Sequence, residues 1–147
     1  MNFSGESEMR EIPLTYDEWE RSVSHSISSD PLWGFEIYRK SLFLADLAWN
    51  DCYKLIHHSL GRHLVSQLIN SAGSVSANIE EGYGRGFGKD NARFQRIALG
   101  SAREARGWYY RSRNALNPEI VDHRMNLIDE IVAGLVLSSR KQRQTTS

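Results

Sequence analysis

The sequence predicts an all-α fold, an antiparallel up-down-up-down four-helix bundle. In four separate stretches the apolar residues recur every three or four positions, which is the spacing of an amphipathic helix. Two of these stretches begin with Asp-Pro or Asn-Pro, a pair typical of a helix N-terminus. No stretch has the strict alternation of a β-strand. Four helices joined by short links favour neighbours that run in opposite directions.

The first predicted helix begins with Asp30 as N-cap and Pro31 at its first position, and it ends near residues 59–61, where Gly61 can take the left-handed cap. It carries two apolar stripes side by side. Together they are wider than one neighbouring helix needs, so the sequence predicts a second contact surface and an oligomer. The first stripe is Phe35, Tyr38, Leu42, Ala45, Trp49, Cys52 and Ile56, and the second is Ile37, Leu44, Ala48 and Leu55.

The second predicted helix covers residues 62–81, and Gly73 inside it is expected to serve close helix packing. Its apolar stripe consists of Val65, Leu68, Ala72, Val75 and Ile79. Four glycines at alternate positions are then predicted to form the turn into the third helix: Gly82, Gly84, Gly86 and Gly88.

The third predicted helix, with Asp90 as N-cap, is amphipathic with a basic outer side. Its apolar arc is Phe94, Ile97, Ala98, Ala102, Ala105, Trp108, Tyr109 and Leu116. Its basic arc is Arg93, Arg96, Arg103, Arg106, Arg111 and Arg113. The fourth helix starts at Asn117-Pro118, and its apolar stripe is Val121, Met125, Ile128, Ile131, Val132 and Leu135.

The length of 147 residues suits one domain with a real core. Residues 1–29 are acidic and rich in serine, and we expect a mobile extension with one short helix near Tyr16–Arg21. The bundle is predicted over residues 30–141, and a polar tail over residues 142–147.

The net charge is zero, but the charges are unevenly distributed. Residues 1–36 contain eight acids and two bases, whereas residues 85–113 contain eight bases and two acids. This asymmetry suggests a local surface for a polyanion, although solvated helix faces that merely use arginine would give the same count. The single cysteine, Cys52, excludes an internal disulfide, and no signal peptide or membrane-spanning run is evident. We therefore expect a cytoplasmic protein.

Several chemistries do not fit the sequence, so no catalytic residue, metal or cofactor is expected. Tyr83 and Asp90 stand where a phosphate-binding Walker loop needs glycine and Ser or Thr. A dinucleotide fingerprint would need a preceding strand, and a di-iron bundle would need Glu-x-x-His pairs. Glu80 and Glu81 are adjacent and point to different sides of a helix. The histidines His57, His58, His63 and His123 have no metal-ligand spacing.

The remaining candidate site is the basic side of the third helix, because the planar guanidinium of arginine suits phosphate contacts. Tyr83 and Phe87 lie among these bases and could stack on an unpaired base. The alternative is that the arginines pair with acids such as Glu80, Glu81, Glu104 or Asp129. The predicted phosphate-contacting residues are Arg85, Lys89, Arg93, Arg96, Arg103, Arg106 and Arg113.

One long pattern carries a resemblance: Ser74, Asn78, Ile79, Glu81, Gly82, Gly84 and Arg85, followed by Phe94, Ala98, Gly100, Ser101 and Glu104. It resembles the four-helix-bundle family of 23S rRNA intervening-sequence proteins, which is similar to the accessory variability determinant (Avd) proteins of diversity-generating retroelements. The likeness covers roughly residues 30–140. It implies an antiparallel four-helix bundle, a homopentameric ring and no known catalysis. We expect a mainly structural role for Ser74, Asn78, Glu81, Gly82, Gly84, Gly100, Ser101 and Glu104.

The Avd branch of the resemblance also implies binding of nucleic acid and of a reverse transcriptase. The leading hypothesis is therefore a non-enzymatic, ring-forming protein that binds RNA or DNA, with structured RNA favoured. The competing hypothesis is a protein-interaction scaffold that does not bind nucleic acid.

Overall fold

The computed structural model describes residues 15–145, and every regular element in that range is helical, which confirms the all-α class. The α-helices are α1 (Tyr16–Ser22), α2 (His25–Ser28), α3 (Glu36–Leu55), α4 (Val65–Gly84), α5 (Lys89–Arg111) and α6 (Pro118–Gln144). Short 3-10 turns precede α3 at Pro31–Gly34, precede α4 at Gly61–Leu64 and follow α5 at Ser112–Asn114. The four long helices form a helical bundle.

Each long helix packs against the next one along the chain, and α6 also contacts α3. The core between them is apolar and fully buried at Leu44, Leu55, Leu68, Ile128 and Leu135. Helix α5 contributes mostly alanines to this core: Ala98, Ala102 and Ala105, all with no exposed surface. These small side chains let α5 lie close to both α4 and α6.

Helix α3 begins later than expected. The Asp30 carboxylate does accept a hydrogen bond from the Leu32 N–H at 2.8 Å, but the segment it caps is a 3-10 turn. Phe35 then has an extended backbone, so the α-helix begins at Glu36. The sequence therefore identified the cap correctly and placed the start of the long helix five residues too early.

The two apolar stripes of α3 also differ in burial. Leu44, Ala48 and Leu55 of the second stripe are in the core, whereas Trp49 and Ile56 of the first are 56 % and 54 % exposed. At 100° per residue, Trp49 lies about 140° around the helix from Leu44, too far to face the same core. Within a single chain the first stripe is therefore buried only in part, and the second contact surface stays a prediction.

Only half of the predicted glycine turn is a turn. Helix α4 continues to Gly84, and the glycines with positive φ are Gly86 (94°) and Gly88 (87°). Gly88, and not Asp90, precedes the first helical residue of α5. A Cβ on Gly82 would lie 2.7 Å from Asn91 Oδ1, so this glycine serves the close contact of α4 with α5. Gly73 has no such neighbour within 4 Å, so its predicted packing role is wrong within the chain.

The predicted mobile extension is wrong for residues 15–29. Trp19 of α1 is 3 % exposed and packs on the rings of Trp33 and Phe43, with centroids at 6.1 and 5.2 Å. Its Nε1–H donates to Asp46 Oδ2 at 2.7 Å. Helix α1 is therefore part of the folded domain, and residues 1–14 lie outside the described range.

At the other end, α6 extends to Gln144, so residues 142–144 of the predicted polar tail are helical. Residues 146 and 147 are outside the described range.

A buried polar network crosses the bundle. Asp51 of α3 has no exposed surface and accepts a hydrogen bond from the Tyr109 hydroxyl of α5 at 2.7 Å. Its two carboxylate oxygens also accept from Arg124 of α6, from Nε at 2.8 Å and from Nη2 at 3.1 Å. Burial, together with the Asp51 charge, raises the pKa of Tyr109 well above its usual value. Three helices are thus joined by one satisfied carboxylate.

None of the helices between residues 15 and 145 combines the length and the apolar character that crossing a bilayer requires.

Candidate nucleic-acid interface

Three cations form a line along the outer side of α5. Lys89, Arg96 and Arg103 are exposed and spaced by seven residues, which places successive members about 10.5 Å apart along one side of the helix. Within the described part of the chain, no carboxylate lies within 4.0 Å of any of the three. Their charges are therefore available to an external anion.

Two of the other predicted phosphate contacts are engaged in short ion pairs. Arg106 Nη1 contacts Asp129 Oδ1 of α6 at 2.7 Å, and Arg85 Nη2 contacts Glu81 Oε1 at 3.0 Å. The ion-pair alternative from the sequence therefore describes Arg85 and Arg106.

The last two predicted contacts, Arg93 and Arg113, are only partly engaged. Arg93 has a longer contact to Asp90 at 3.8 Å. Arg113 donates to the Tyr110 carbonyl at 3.0 Å and lies over the Tyr110 ring, with its Cζ 4.1 Å from the centroid.

A groove of about 490 Å³ lies at the start of α5 beside the end of α6. Its lining consists of Lys89, Ala92, Arg93, Arg96, Ile97 and Arg143. We call this feature the cationic groove, because four of its lining residues are basic and none is acidic. The sequence analysis did not place Arg143 there. The sequence does show a cluster of basic residues near its end, which includes Arg143. Only the packing of α6 on α5 shows that Arg143 lies in the groove.

The cations at the start of α5 oppose the dipole of their own helix. The N-terminal end of a helix carries partial positive charge, so a cation there costs about 0.3 to 1 kcal/mol. Lys89 is the first residue of α5, and Asp90 is the acid of the first turn. The stability of α5 therefore does not explain a lysine at position 89. An anion bound beside Lys89 would explain it, because the anion would pair with the lysine and with the helix dipole.

Aromatic residues surround the turn between α4 and α5. Tyr83 and Phe87 are 42 % and 73 % exposed. The guanidinium groups of Arg85 and Arg93 lie over the half-buried ring of Phe94. The distance from Cζ to the ring centroid is 5.2 Å for Arg85 and 4.6 Å for Arg93. Cation–π contacts of this kind hold both arginines near the turn.

A second hollow, of about 320 Å³, lies on the other side of the start of α5. Two primary amides in its lining, Asn91 and Gln95, are each only 4 % exposed. No donor from residues 15–145 reaches Asn91 Oδ1 or Gln95 Oε1. A buried acceptor without a partner costs about 1 to 3 kcal/mol. The sequence analysis missed both residues, although two polar residues one turn apart on the inner side of α5 were a visible signal.

Two parts of the family motif lie at the contact between helices α4 and α5, the Ser74–Ser101 pair and Gly82. Ser74 Oγ and Ser101 Oγ are 2.9 Å apart, and Asn78 Nδ2 donates to the Ser74 carbonyl at 2.8 Å. Glu104 accepts from Trp108 Nε1 at 3.2 Å. A Cβ on Gly84 or Gly100 would meet no atom within 4 Å. The serine pair joins the two helices away from the cationic groove, and Asn78 holds Ser74 from within α4.

Other reactive side chains are engaged elsewhere. His58 Nδ1 accepts from the Gly61 N–H at 2.9 Å, which closes the turn before α4. Burial raises the pKa of the Cys52 thiol to about 11, and the neighbouring Asp51 charge adds to this shift. Among residues 15–145, no group of three His, Cys, Asp or Glu side chains is placed to hold a metal ion.

Fold and surface together define a class of protein, a small helical bundle with a cationic groove at one end. A sequence model of the 23S rRNA-intervening sequence proteins matches residues 34–136, and the chain belongs to that family. The family membership inferred from the motif is thereby confirmed. The relation to Avd proteins stays a prediction.

The chain is also similar to a crystal structure from Bacteroides thetaiotaomicron VPI-5482, described as a protein with unknown function from the S23 ribosomal protein family. The identity is 23 % and the TM-score 0.65, with 74 % of this chain and 99 % of that chain covered. At this identity the likeness shows the fold alone. A comparison with curated proteins found no match.

Proposed function

We propose that this protein is a non-enzymatic nucleic-acid-binding protein whose cationic groove holds the phosphate backbone of structured RNA. One observation carries the proposal: four basic side chains from α5 and α6 line a groove with no acid in its lining. In residues 15–145, no carboxylate pairs with Lys89, Arg96 or Arg143.

A phosphate in this groove would reduce two unfavourable interactions at once. It would neutralise the mutual repulsion of the basic side chains, and it would lie near the positive end of the α5 dipole. Guanidinium groups can bind a phosphate through two parallel hydrogen bonds, which also fixes its orientation. Arg103, two turns beyond Arg96, extends the same line of charge along the helix.

In the proposed assembly, five up-down-up-down bundles form a ring. The number five and the path of the chain come from the family resemblance. The exposed apolar side chains Trp49 and Ile56 support the existence of a contact between subunits. A ring would repeat the cationic groove on every subunit, so weak single contacts would add up to tight binding. This accounts for polyanion binding by a chain with zero net charge.

The resemblance to Avd proteins supplies a specific partner for this assembly, a reverse transcriptase in the cytoplasm. The free and buried Cys52 fits a reducing compartment. Co-purification with the reverse transcriptase of a neighbouring gene would test this part of the proposal, and a genome without such a gene would contradict it.

The decisive experiment reverses the line of charge along α5. We expect the variant Lys89→Glu/Arg96→Glu/Arg103→Glu to lose binding to a fluorescently labelled RNA hairpin in an anisotropy titration. For the unmodified protein, log K should fall steeply with log salt concentration, and each lost phosphate contact should reduce that slope by about 1.

The matched control is Arg21→Glu/Lys54→Glu/Arg62→Glu, which makes the same change in net charge at exposed positions outside α5. It should bind RNA nearly as well as the unmodified protein. Equal loss in both variants would mean that net charge alone drives binding. Binding that is insensitive to salt and to the α5 reversal would refute the proposal.

The alternative function is a protein-interaction scaffold, for which the exposed Trp49 and Ile56 and the acidic first turn of α1 are the relevant surfaces. The ratio of absorbance at 260 and 280 nm of the purified protein separates the two functions. A raised ratio that falls to the value of a pure protein after nuclease treatment indicates bound nucleic acid. A ratio typical of pure protein from the start, together with no affinity for RNA, favours the scaffold.

A further inference from the structure

The second hollow is a pocket made for a flat, uncharged ligand. Its lining residues are Pro31, Leu32, Gly34, Phe35, Ile79, Tyr83, Phe87, Asn91, Gln95, Ser138 and Gln142. None of these carries a charge, so a carboxylate or a phosphate would find no counter-ion inside. Its volume of about 320 Å³ is at the lower end of the range, roughly 300 to 1,000 Å³, that holds small-molecule ligands.

The polar groups of the pocket are arranged for a ligand with hydrogen-bonding edges. The carbonyl oxygens of Asn91 and Gln95 are buried, and no donor among the described residues reaches them. Asn91 Oδ1 lies against Gly82 of α4, so this amide must rotate to present its oxygen to a ligand. A primary amide offers a donor and an acceptor side by side, which is the pattern that Asn and Gln use to read the edge of a nucleobase. Both amides come from consecutive turns of α5, so both can face the same ligand.

The apolar groups of the pocket suit the faces of the same ligand. Tyr83 and Phe87 line the pocket and are 42 % and 73 % exposed. Exposure of large aromatic side chains to water is unfavourable, so a ligand that covered them would be stabilising. Aromatic side chains are the usual stacking surfaces for unpaired bases. A pocket with aromatic stacking surfaces and amides in its wall fits a nucleobase better than an aliphatic ligand. An aliphatic ligand would leave the amides without hydrogen-bond partners.

The position of the pocket relates it to the cationic groove. Asn91 and Gln95 lie on the opposite side of α5 from Lys89 and Arg93 by helix geometry. The two sites are therefore separated by about one helix diameter, 10 to 12 Å. On α6, the neighbouring residues Gln142 and Arg143 contribute to the pocket and to the groove, respectively. An RNA strand whose phosphates are bound in the groove can thus reach across the loop at residues 86–88 and place one base in the pocket.

We propose that this pocket binds a single unpaired nucleobase, stacked on Phe87 and Tyr83 and hydrogen-bonded by the side-chain amides of Asn91 and Gln95. The inference rests on the proposed function for its physiological ligand, a structured RNA with an unpaired base. The pocket itself can be tested without any phosphate contact, because a nucleoside carries the base alone.

The first experiment titrates the full-length protein with adenosine, and then with cytidine, guanosine and uridine, while NMR follows the side-chain amide signals of Asn91 and Gln95. We expect at least one nucleoside to shift both pairs of signals, and ribose 5-phosphate, which has no base, to leave them unchanged. If all four nucleosides leave the signals unchanged, the inference is overturned.

The second experiment uses RNA and two variants that spare the fold. Phe87→Ala removes a mostly exposed ring, and Gln95→Met replaces an amide whose oxygen has no donor among residues 15–145 by an apolar chain of similar length. Gln67→Met, at an exposed position of α4, is the matched control. Phe87→Ala should weaken binding to a hairpin with an unpaired loop about tenfold, as loss of one stacked base does. Gln95→Met should weaken the same binding because it removes a hydrogen-bonding amide. Affinity for a fully paired duplex should not change.

The two experiments separate failure of the pocket from failure of the groove. Shifts with a nucleoside but no affinity for any RNA would uphold the pocket and refute the phosphate-binding function. Salt-dependent RNA binding in which Phe87→Ala and Gln95→Met bind the hairpin as tightly as the unmodified protein does would uphold the groove and refute the pocket.

Discussion

Asp51 shows how much one residue can determine at the centre of this bundle. Its carboxylate is fully buried and is satisfied by Tyr109 and Arg124, which come from two other helices. The ion pair itself is weak evidence for stability, because burial of both charges costs about as much as their attraction returns. Leaving the carboxylate without its partner is different, because an uncompensated charge then remains in the core.

We expect Arg124→Met to lower the free energy of unfolding by about 3 to 5 kcal/mol, since it strands the Asp51 carboxylate in the core. Urea denaturation at neutral pH measures the change. The double variant Asp51→Asn/Arg124→Met carries no buried charge, and its amide can still accept from Tyr109. It should be more stable than the single variant. Equal loss in both would show that packing by Arg124, and not charge, is responsible.

At the same scale, the sequence revealed the types of some side chains but not their partners. Cys52, which the sequence placed in the first apolar stripe, is 5 % exposed. Asp51, beside it, gave no sign of being buried, because its two partners are 58 and 73 residues away in the sequence. The positions of Asn91 and Gln95 on the inner side of α5 were visible in the sequence, but only the packing of the helices shows that their carbonyl oxygens have no donor among residues 15–145.

At the scale of the elements, periodicity predicted the helices better than their ends. The stripe of Leu68, Ala72, Val75 and Ile79 is buried as expected, because one face of a regular helix repeats every 3.6 residues. Ends depend on local backbone conformations that several residue types can adopt. The extended Phe35 before α3 and the continuation of α4 through Gly82 and Gly84 were therefore not predictable from spacing.

Helix α1 gives the clearest case of an element that composition misrepresented. Its surroundings are acidic and rich in serine, which is typical of mobile segments. A single large side chain reverses that conclusion: Trp19 buries its ring against Phe43 and Trp33 and its N–H against Asp46. One aromatic side chain buries enough area to anchor a helix of two turns. The average composition of the segment hardly changes with one such residue, so it did not reveal the anchor.

The α4–α5 contact supplies a prediction at this scale. A Cβ on Gly82 would lie 2.7 Å from Asn91 Oδ1 and 2.8 Å from the Phe94 Cβ, so Gly82→Ala must push the two helices apart. We expect it to lower the free energy of unfolding by about 1 to 3 kcal/mol. Gly73→Ala in the same helix meets no atom within 4 Å and should raise stability by up to about 1 kcal/mol.

Thermal and urea denaturation of the two glycine variants, measured in parallel, test this contrast. Because the substitutions are chemically identical and in one helix, any difference between them reports on the space beside each glycine. A stabilised Gly82→Ala would contradict the close contact. A destabilised Gly73→Ala in a dissociated monomer would contradict the open space found beside it.

At the scale of the whole molecule, the sequence predicted where the basic residues cluster but not which of them are available. All seven candidate cations belong to the α5 region, yet Arg85 and Arg106 are engaged by Glu81 and Asp129. Distinguishing them requires the distances between helices, which no spacing rule provides. The groove also draws on Arg143 from the far end of the sequence, because α6 returns to the start of α5.

The last prediction concerns assembly and its effect on RNA binding. Trp49 and Ile56 lie on one side of α3 at a spacing of two turns, and each exposes more than half of its surface. If they form the contact between subunits, Trp49→Glu/Ile56→Glu should convert the proposed ring to monomers in sedimentation or light scattering. The monomer should keep its fold, because neither side chain belongs to the core. Asn70→Glu, at an exposed site of α4, is the control for added charge.

The same variant should weaken RNA binding although it leaves every residue of the cationic groove intact. Loss of the ring removes the simultaneous engagement of several grooves, which typically contributes a factor of 10² to 10⁴ in affinity. Anisotropy titrations at one salt concentration would detect a loss on that order. A monomeric variant that binds RNA as tightly as the unmodified protein would mean that one groove is sufficient, and that zero net charge is no obstacle to a polyanion.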